Sequence, residues 1–383
     1  MLINLPDETG KLTPYRCAAQ PLTEAPLSPS APRAVLAAAH VVADPFAANE
    51  PSRQATVDWP GTLAFRRHLH GLGLGIAEAM DTAQRGMGLD WAGALELIRQ
   101  TRSELPDALV FNGCGTDHLD PADAASLADV IDAYKQQIDA IQAAGGRLVI
   151  MASRALAWVA QTPDDYVQVY DAVLAACDAP VILHWLGEMF DPALAGYWGG
   201  DDFTLTMETA LTVITNNTNK VDGIKMSLLD KDKEVMLRRR LPAGVKMYSG
   251  DDFNYPELIA GDAAGYSDAL LGVFDPIAVA AAGAINHLAS NQLDEYYQIF
   301  NPTVPLARLI FRAPTQYYKT GVVFLAWLNG FQDHFVMLGG AQSMRPLPYF
   351  ADCFKLADQA GVLRDPEMAA DRMRKLLAVY GVA

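Results

Sequence analysis

The chain has 383 residues, 51% of them hydrophobic, enough to bury a large core in one sizeable domain with an addition or in two domains, and it is neither disordered nor fibrous. A net charge of -16 leaves no basic surface for nonspecific binding to nucleic acid or an anionic membrane. No apolar stretch approaches the roughly 20 residues of a membrane span. Residues 1–10 carry acidic groups where a leader would be basic and then apolar, so a cytoplasmic location is expected. Cys17, Cys114, Cys177 and Cys353 are scattered without CxxC spacing and are expected to be reduced, mostly buried thiols.

Residues 1–33 are rich in proline and turn formers. Two short apolar runs, 2–5 and 12–15, flank Glu8-Thr9-Gly10. This predicts a hairpin and then an arm ending at Ser28-Pro29-Ser30-Ala31-Pro32, outside the main domain and without chemistry of its own. From Ala34 onward, short apolar runs alternate with helical patterns, which is the signature of β/α units and a parallel sheet. The candidate strands are 34–39, 73–78, 109–113, 148–153, 181–185, 223–227, 245–249 and 268–273. Between the third and fourth, Leu127, Val130, Ile131, Tyr134, Ile138 and Ile141 follow helical spacing until Gly145-Gly146 ends the run. Eight units over about 240 residues predict a (β/α)8 TIM barrel across 34–275. An open doubly wound sheet is the alternative, but no GxGxxG follows a first strand; the GLGLG at 71–75 has the wrong spacing and precedes its strand.

Beyond Pro276 the strand signal stops. Long helical patterns at 277–288, 315–338 and 366–380 predict a C-terminal helical extension over 276–383. Phe324, Leu325, Trp327, Leu328 and Phe331 make one of these helices apolar around much of its surface. Packing on the barrel or an interface between copies both account for this, and a homo-oligomer is expected.

Val221 to Ser227, VDGIKMS, places a lysine in a run that otherwise reads as a buried strand. Side chains alternate along a strand, so Gly223, Lys225 and Ser227 share one face while Ile224 and Met226 share the other. A lysine facing the axis near the carboxyl end of a barrel strand lies where such barrels do their chemistry. Burial lowers the amine's proton affinity and frees it to attack a carbonyl and form an imine. The alternative is a strand-end lysine that reaches solvent or meets a carboxylate.

Gly223-Ile224-Lys225, followed by Ser249-Gly250-Asp251-Asp252 at the end of the next strand, resembles the dihydrodipicolinate synthase and N-acetylneuraminate lyase family of class I aldolases. Asn112-Gly113-Cys114-Gly115-Thr116 is similar to that family's third-strand loop, and Met344-Arg345-Pro346-Leu347-Pro348 to its C-terminal RPP-like segment. The resemblance implies a (β/α)8 barrel with helices after it, and an imine-forming Lys225. It also departs from the family's pattern. His184, in Pro180-Val181-Ile182-Leu183-His184-Trp185, stands where the family's fifth strand carries a catalytic tyrosine. After strand two, Glu78 to Gln84 offers only Thr82 in place of a threonine pair that holds a pyruvate carboxylate. Strand four ends Met151-Ala152-Ser153-Arg154, without the tyrosine that family members lend to a neighbouring subunit. The chain reads as a remote branch with the lysine kept and the pocket rebuilt.

His184 is a candidate proton shuttle because imidazole titrates near neutrality, or else a satisfied core histidine. Thr82, Arg154, Ser249 and Asp275 are candidate substrate-binding residues, with Glu188 a further polar possibility. Arg154 suits a carboxylate or phosphate, or a surface ion pair. Asp251 and Asp252 read as residues of a strand-to-helix turn and N-cap. No cofactor or metal is expected; the partner is a small carbonyl substrate, a hydroxylated keto acid or sugar-derived ketone cleaved, joined or dehydrated through the imine. The competing reading is a metal-dependent lyase or hydrolase with ligands drawn from His40, Asp117, His118 and His184 at strand ends. His68-Leu69-His70 has an HxH look but falls in an apparent helix. A barrel that only binds a sugar or acid is a third reading, disfavoured because a buried lysine is a costly way to hold a ligand.

Overall fold

The structure, a computed structural model, describes residues 1–51 and 56–382. Its strands are β1 (Leu2–Pro6), β2 (Leu12–Arg16), β3 (Val35–Ala38), β4 (Gly75–Glu78), β5 (Val110–Cys114), β6 (Arg147–Ile150), β7 (Val181–Leu186), β8 (Val221–Ser227), β9 (Lys246–Ser249) and β10 (Asp268–Leu271). The barrel helices are α1 (Trp59–Gly71), α2 (Trp91–Glu104), α3 (Leu127–Ala143), α4 (Arg154–Val159), α5 (Pro163–Ala175), α6 (Phe203–Asn216), α7 (Lys231–Arg238) and α8 (Tyr255–Ala260). After them come α9 (Ala278–Ala289), α10 (Leu293–Phe300), α11 (Val304–Ile310), α12 (Tyr318–Leu328), α13 (Leu347–Gln359) and α14 (Pro366–Val379).

Strands β3 to β10 pair in parallel and close on one another, β10 beside both β9 and β3, giving the (β/α)8 barrel that the alternating runs predict. Strand alternation sorts the side chains into two layers. Leu36, Ala77, Phe111, Val149, Ile182, Tyr248 and Leu270 fill the axis, while Leu183, Trp185, Ile224 and Met226 pack beneath the surrounding helices. The helix starts are set by side-chain caps: Asp58, Asp90, Ser126, Asp202 and Asp230 each accept a backbone N–H of the first turn.

The hairpin of β1 and β2 lies against the C-terminal helices: Ile3 and Leu5 join the same core as Phe354, and Tyr15 Oη donates to Asp358 Oδ2 on α13 at 2.8 Å. The pattern at 315–338 is not one helix. α12 ends at Leu328, and Gly330 turns the chain away at φ 79°, a left-handed conformation that glycine adopts without strain. Every residue of α12 is buried, and it packs on α11, α13 and α14, so contacts within the chain account for its all-round apolar surface.

On α7, Glu234 is fully buried, accepting from Ser249 Oγ at 3.1 Å and Ser267 Oγ at 2.7 Å. Burial pushes its carboxyl up to about 8 against the pull of the serine bonds. Between the unfolded value near 4.5 and about 8, the folded chain holds a proton that the unfolded chain releases, so stability falls as pH rises through this window. Glu234→Gln is expected to remove up to about 1.4 kcal/mol per pH unit of that slope in denaturant titrations run from pH 5 to 8. An unchanged slope would show that Glu234 is already ionised in the fold.

Candidate active site

β7 and β8 run side by side with His184 level with Lys225, and both residues lie on the strand face that points to the axis. Gly223 leaves room for the Tyr248 ring below them: a Cβ there would stand 2.7 Å from it. Gly250 does the same for the lysine, since a Cβ would sit 2.8 Å from Lys225 Cε and 2.7 Å from the Met226 carbonyl oxygen and would strike Ser227 Oγ. The glycine of GIK thus makes space for the Tyr248 ring and the glycine of GDD for the lysine.

Lys225 opens into a small cavity of about 20 Å³, roughly the room one water requires. Ala38, Met80, Asp81, Thr82, His184, Ser227 and Asp252 line it from the barrel, and Phe190, Phe311 and Tyr318 cover it. Burial lowers the lysine's proton affinity, and the carboxylates of Asp252 and Asp81 pull it back only in part. Asp252 responds in the opposite sense: burial raises its carboxyl to about 7, although it accepts the Val273 N–H at 2.8 Å and faces the lysine. The two shifts run in opposite directions: burial disfavours the charged form of both the amine and the carboxyl.

His184 shares a 3.2 Å hydrogen bond between Nε2 and Ser227 Oγ, and its buried Nδ1 has no partner. Burial, and then the neighbouring Lys225 charge, hold its imidazole well below the ordinary histidine range. This lowered proton affinity runs against the expectation that His184 titrates near neutrality. Thr82 is in the cavity, its Oγ1 2.8 Å from Tyr318 Oη.

Three other candidates lie elsewhere. Ser249 is level with Met226, not Lys225, so its hydroxyl faces α7 and is spent on Glu234. Asp275 turns to the end of β3, where its Oδ2 takes both the backbone N–H and Nδ1 of His40 at 2.7 Å. Arg154 lines a second, open cavity of about 440 Å³, its Nε bonded to Asp191 at 2.5 Å. That cavity adjoins the first, because Asp81 and Leu186 line both. Glu188 is exposed. The proposed metal ligands disperse as well: His40 to Asp275, Asp117 to Arg85, His118 to Gln137. Among the described residues no three His, Cys, Asp or Glu side chains converge.

Sequence reasoning missed Asp252, Asp81 and Tyr318. Asp251 has the predicted turn role, accepting from the Phe253 and Asn254 backbone at 2.9 and 3.1 Å, while its neighbour Asp252 projects into the cavity. The adjacency of the two acids concealed their division of labour. Tyr318 arrives from α12, and nothing local to it marks an active site. Beside it Lys319 is buried too, donating to the Gln316 carbonyl at 3.2 Å, with its ammonium lowered to about 8 by burial.

Several solved structures share this fold. YagE, a prophage protein of the dihydrodipicolinic acid synthase family from E. coli K12 solved in complex with pyruvate, superposes with a TM-score of 0.66 at 14% identity, covering 86% of this chain and 99% of its own. The 4-hydroxy-tetrahydrodipicolinate synthase of Methylacidiphilum fumariolicum SolV gives 0.60 at 16% identity, covering 91% and 98%. Dihydrodipicolinate synthase from Aquifex aeolicus gives 0.60 at 12% identity, with the same coverage. At these identities the likeness establishes a dihydrodipicolinate synthase-like barrel, the fold that the resemblance implied. The chain itself belongs to the family described as "Protein of unknown function (DUF993)", which matches residues 3–382. No curated protein matches it.

Gly250→Ala tests whether the glycine of the GDD turn seats the lysine. Backbone and lysine must both shift to admit the methyl, so the cavity chemistry should fall at least tenfold. An alanine variant with unaltered activity and melting temperature would show that the close approach is not needed.

Proposed function

We propose that this protein is a class I lyase that joins Lys225 to the carbonyl carbon of a hydroxylated keto acid or sugar-derived ketone as an imine. The observation that carries this reading is the pairing inside one cavity of a lysine with lowered proton affinity and an aspartic acid raised to about 7. The neutral amine attacks the ketone carbon, giving a carbinolamine, and loss of water gives the imine. The iminium needs one further proton, which Asp252 supplies, leaving its carboxylate opposite the new cation. The iminium then draws electrons from the neighbouring carbon as a C–C bond breaks or forms, or as a β-hydroxyl leaves. His184, uncharged and with Nδ1 unpartnered, is the proposed acceptor of the substrate hydroxyl proton.

The inner cavity admits only the reacting end of such a molecule, so the remainder extends past Asp81 and Leu186 into the larger cavity. Arg154 is proposed to meet a distal carboxylate or phosphate there, as guanidinium geometry favours. The dihydrodipicolinate synthase-like fold supports the reading, as does the 2-keto acid named in the YagE complex.

Borohydride reduction in the presence of a panel containing dihydroxyacetone, 2-oxobutyrate and pyruvate, followed by peptide mass mapping, tests it. An adduct on the Lys225 peptide is expected, and Lys225→Ala should abolish both adduct and turnover, while a chelator changes neither. Pyruvate should react least well, because Thr82 stands without a second threonine and a lost hydrogen bond to a charged group typically costs about 1.5 to 3 kcal/mol. Turnover that survives Lys225→Ala and disappears with chelator would replace this reading with a metal-dependent one.

A further inference from the structure

We infer that Tyr318, carried by the C-terminal helices and not by the barrel, is the acid that protonates the substrate's carbonyl oxygen opposite Lys225. The inference rests on the imine reading above. Tyr318 is the first residue of α12, and its phenol lines the same cavity as Lys225, His184 and Asp252. The ring is held on several sides. It stacks on Phe311 with centroids 4.4 Å apart and meets Phe190 edge-on at 6.1 Å. Gly272, just beyond β10, leaves it space: a Cβ there would come within 3.3 Å of the Tyr318 ring and 3.0 Å of Phe311. Its hydroxyl is fixed by Thr82 at 2.8 Å, a partner that can accept the phenolic proton or donate its own.

The other groups in the cavity leave this task unfilled. Lys225 is the nucleophile, and His184 is a neutral acceptor. Asp252 is tied to the Val273 N–H on the lysine's side. Burial and the nearby Asp81 charge raise the phenol's proton affinity, so it carries its proton before the amine attacks and its phenolate takes one back readily afterwards.

When the amine attacks, the C=O electron pair moves to oxygen, and Tyr318 Oη–H gives that oxygen its proton. The phenolate recovers a proton from the new secondary ammonium, so the carbinolamine is neutral and the tyrosine is unchanged. In the second step the C–O bond breaks as Oη–H protonates the departing oxygen to water, while the nitrogen lone pair forms the iminium. The phenolate then regains its proton from the Asp252 carboxylic acid through the released water. The sum is one ketone, one amine and one proton from Asp252 going to one iminium, one water and one carboxylate.

The test uses the full chain with dihydroxyacetone as probe and cyanoborohydride as trap, following the Lys225 adduct over time by mass spectrometry. Tyr318→Phe should slow adduct formation by about 100-fold or more, the scale of general acid catalysis, with the same final stoichiometry and a melting temperature within a few degrees. Thr82→Val, which keeps the phenol but removes its partner, should slow it by a smaller factor and shift the pH profile of the rate. Should Tyr318→Phe fail to fold, the Thr82→Val profile decides, and an unaltered one overturns the assignment. A folded Tyr318→Phe protein that traps the probe within threefold of the unsubstituted rate would also overturn it while leaving the imine reading intact. No adduct in the unsubstituted protein would overturn the imine reading and this assignment with it.

Discussion

The structure depends on the burial of one ammonium group. Lys225 lies in the barrel axis 7% exposed, where the charged form is penalised by several kcal/mol, a penalty that carboxylates acting at a distance offset only partly. A fold under selection for stability alone would replace such a group with an apolar side chain. Here the surroundings accommodate it: Gly250 clears space beside its Cε, and the charges of Asp252 and Asp81 restore part of its proton affinity.

The helices after the barrel complete the site. α12 is buried on every side, and that packing fixes Tyr318 and Lys319 at its first turn. Phe311 and Tyr318 come down over the strand ends and reduce the space around the lysine to about 20 Å³, while the larger cavity beside it remains open. The N-terminal hairpin bears on the same helices through Tyr15 and Asp358, so the two ends of the chain brace the element that covers the site.

Much of this could be read from the sequence, because strand and helix periods are local. The eight apolar runs became eight barrel strands, and the alternation within VDGIKMS placed Lys225 on the axis. The errors arose where the outcome depends on register or on distant contacts. Ser249 was assigned to the site because it ends a strand, but pairing with Met226 turns it outward. Asp275 follows the last strand and was claimed by His40. Asp252 was hidden beside Asp251, whose turn role is the common one for that motif. Tyr318 lies in a helix whose apolar surroundings look like plain core, and only tertiary packing shows where its hydroxyl goes. The strand pattern puts His184 beside Lys225, as the register has it, but the lowering of its proton affinity follows from burial, which a strand pattern does not quantify.

The central claim is that burial lowers the proton affinity of the Lys225 amine. Titration of the Lys225 side-chain nitrogen by 15N NMR in selectively labelled protein measures this directly. The account predicts a midpoint below the ordinary lysine value of about 10.4, and a still lower one in Asp252→Asn, where the opposing carboxylate is gone. A midpoint at or above the ordinary value, unmoved by that substitution, would contradict it.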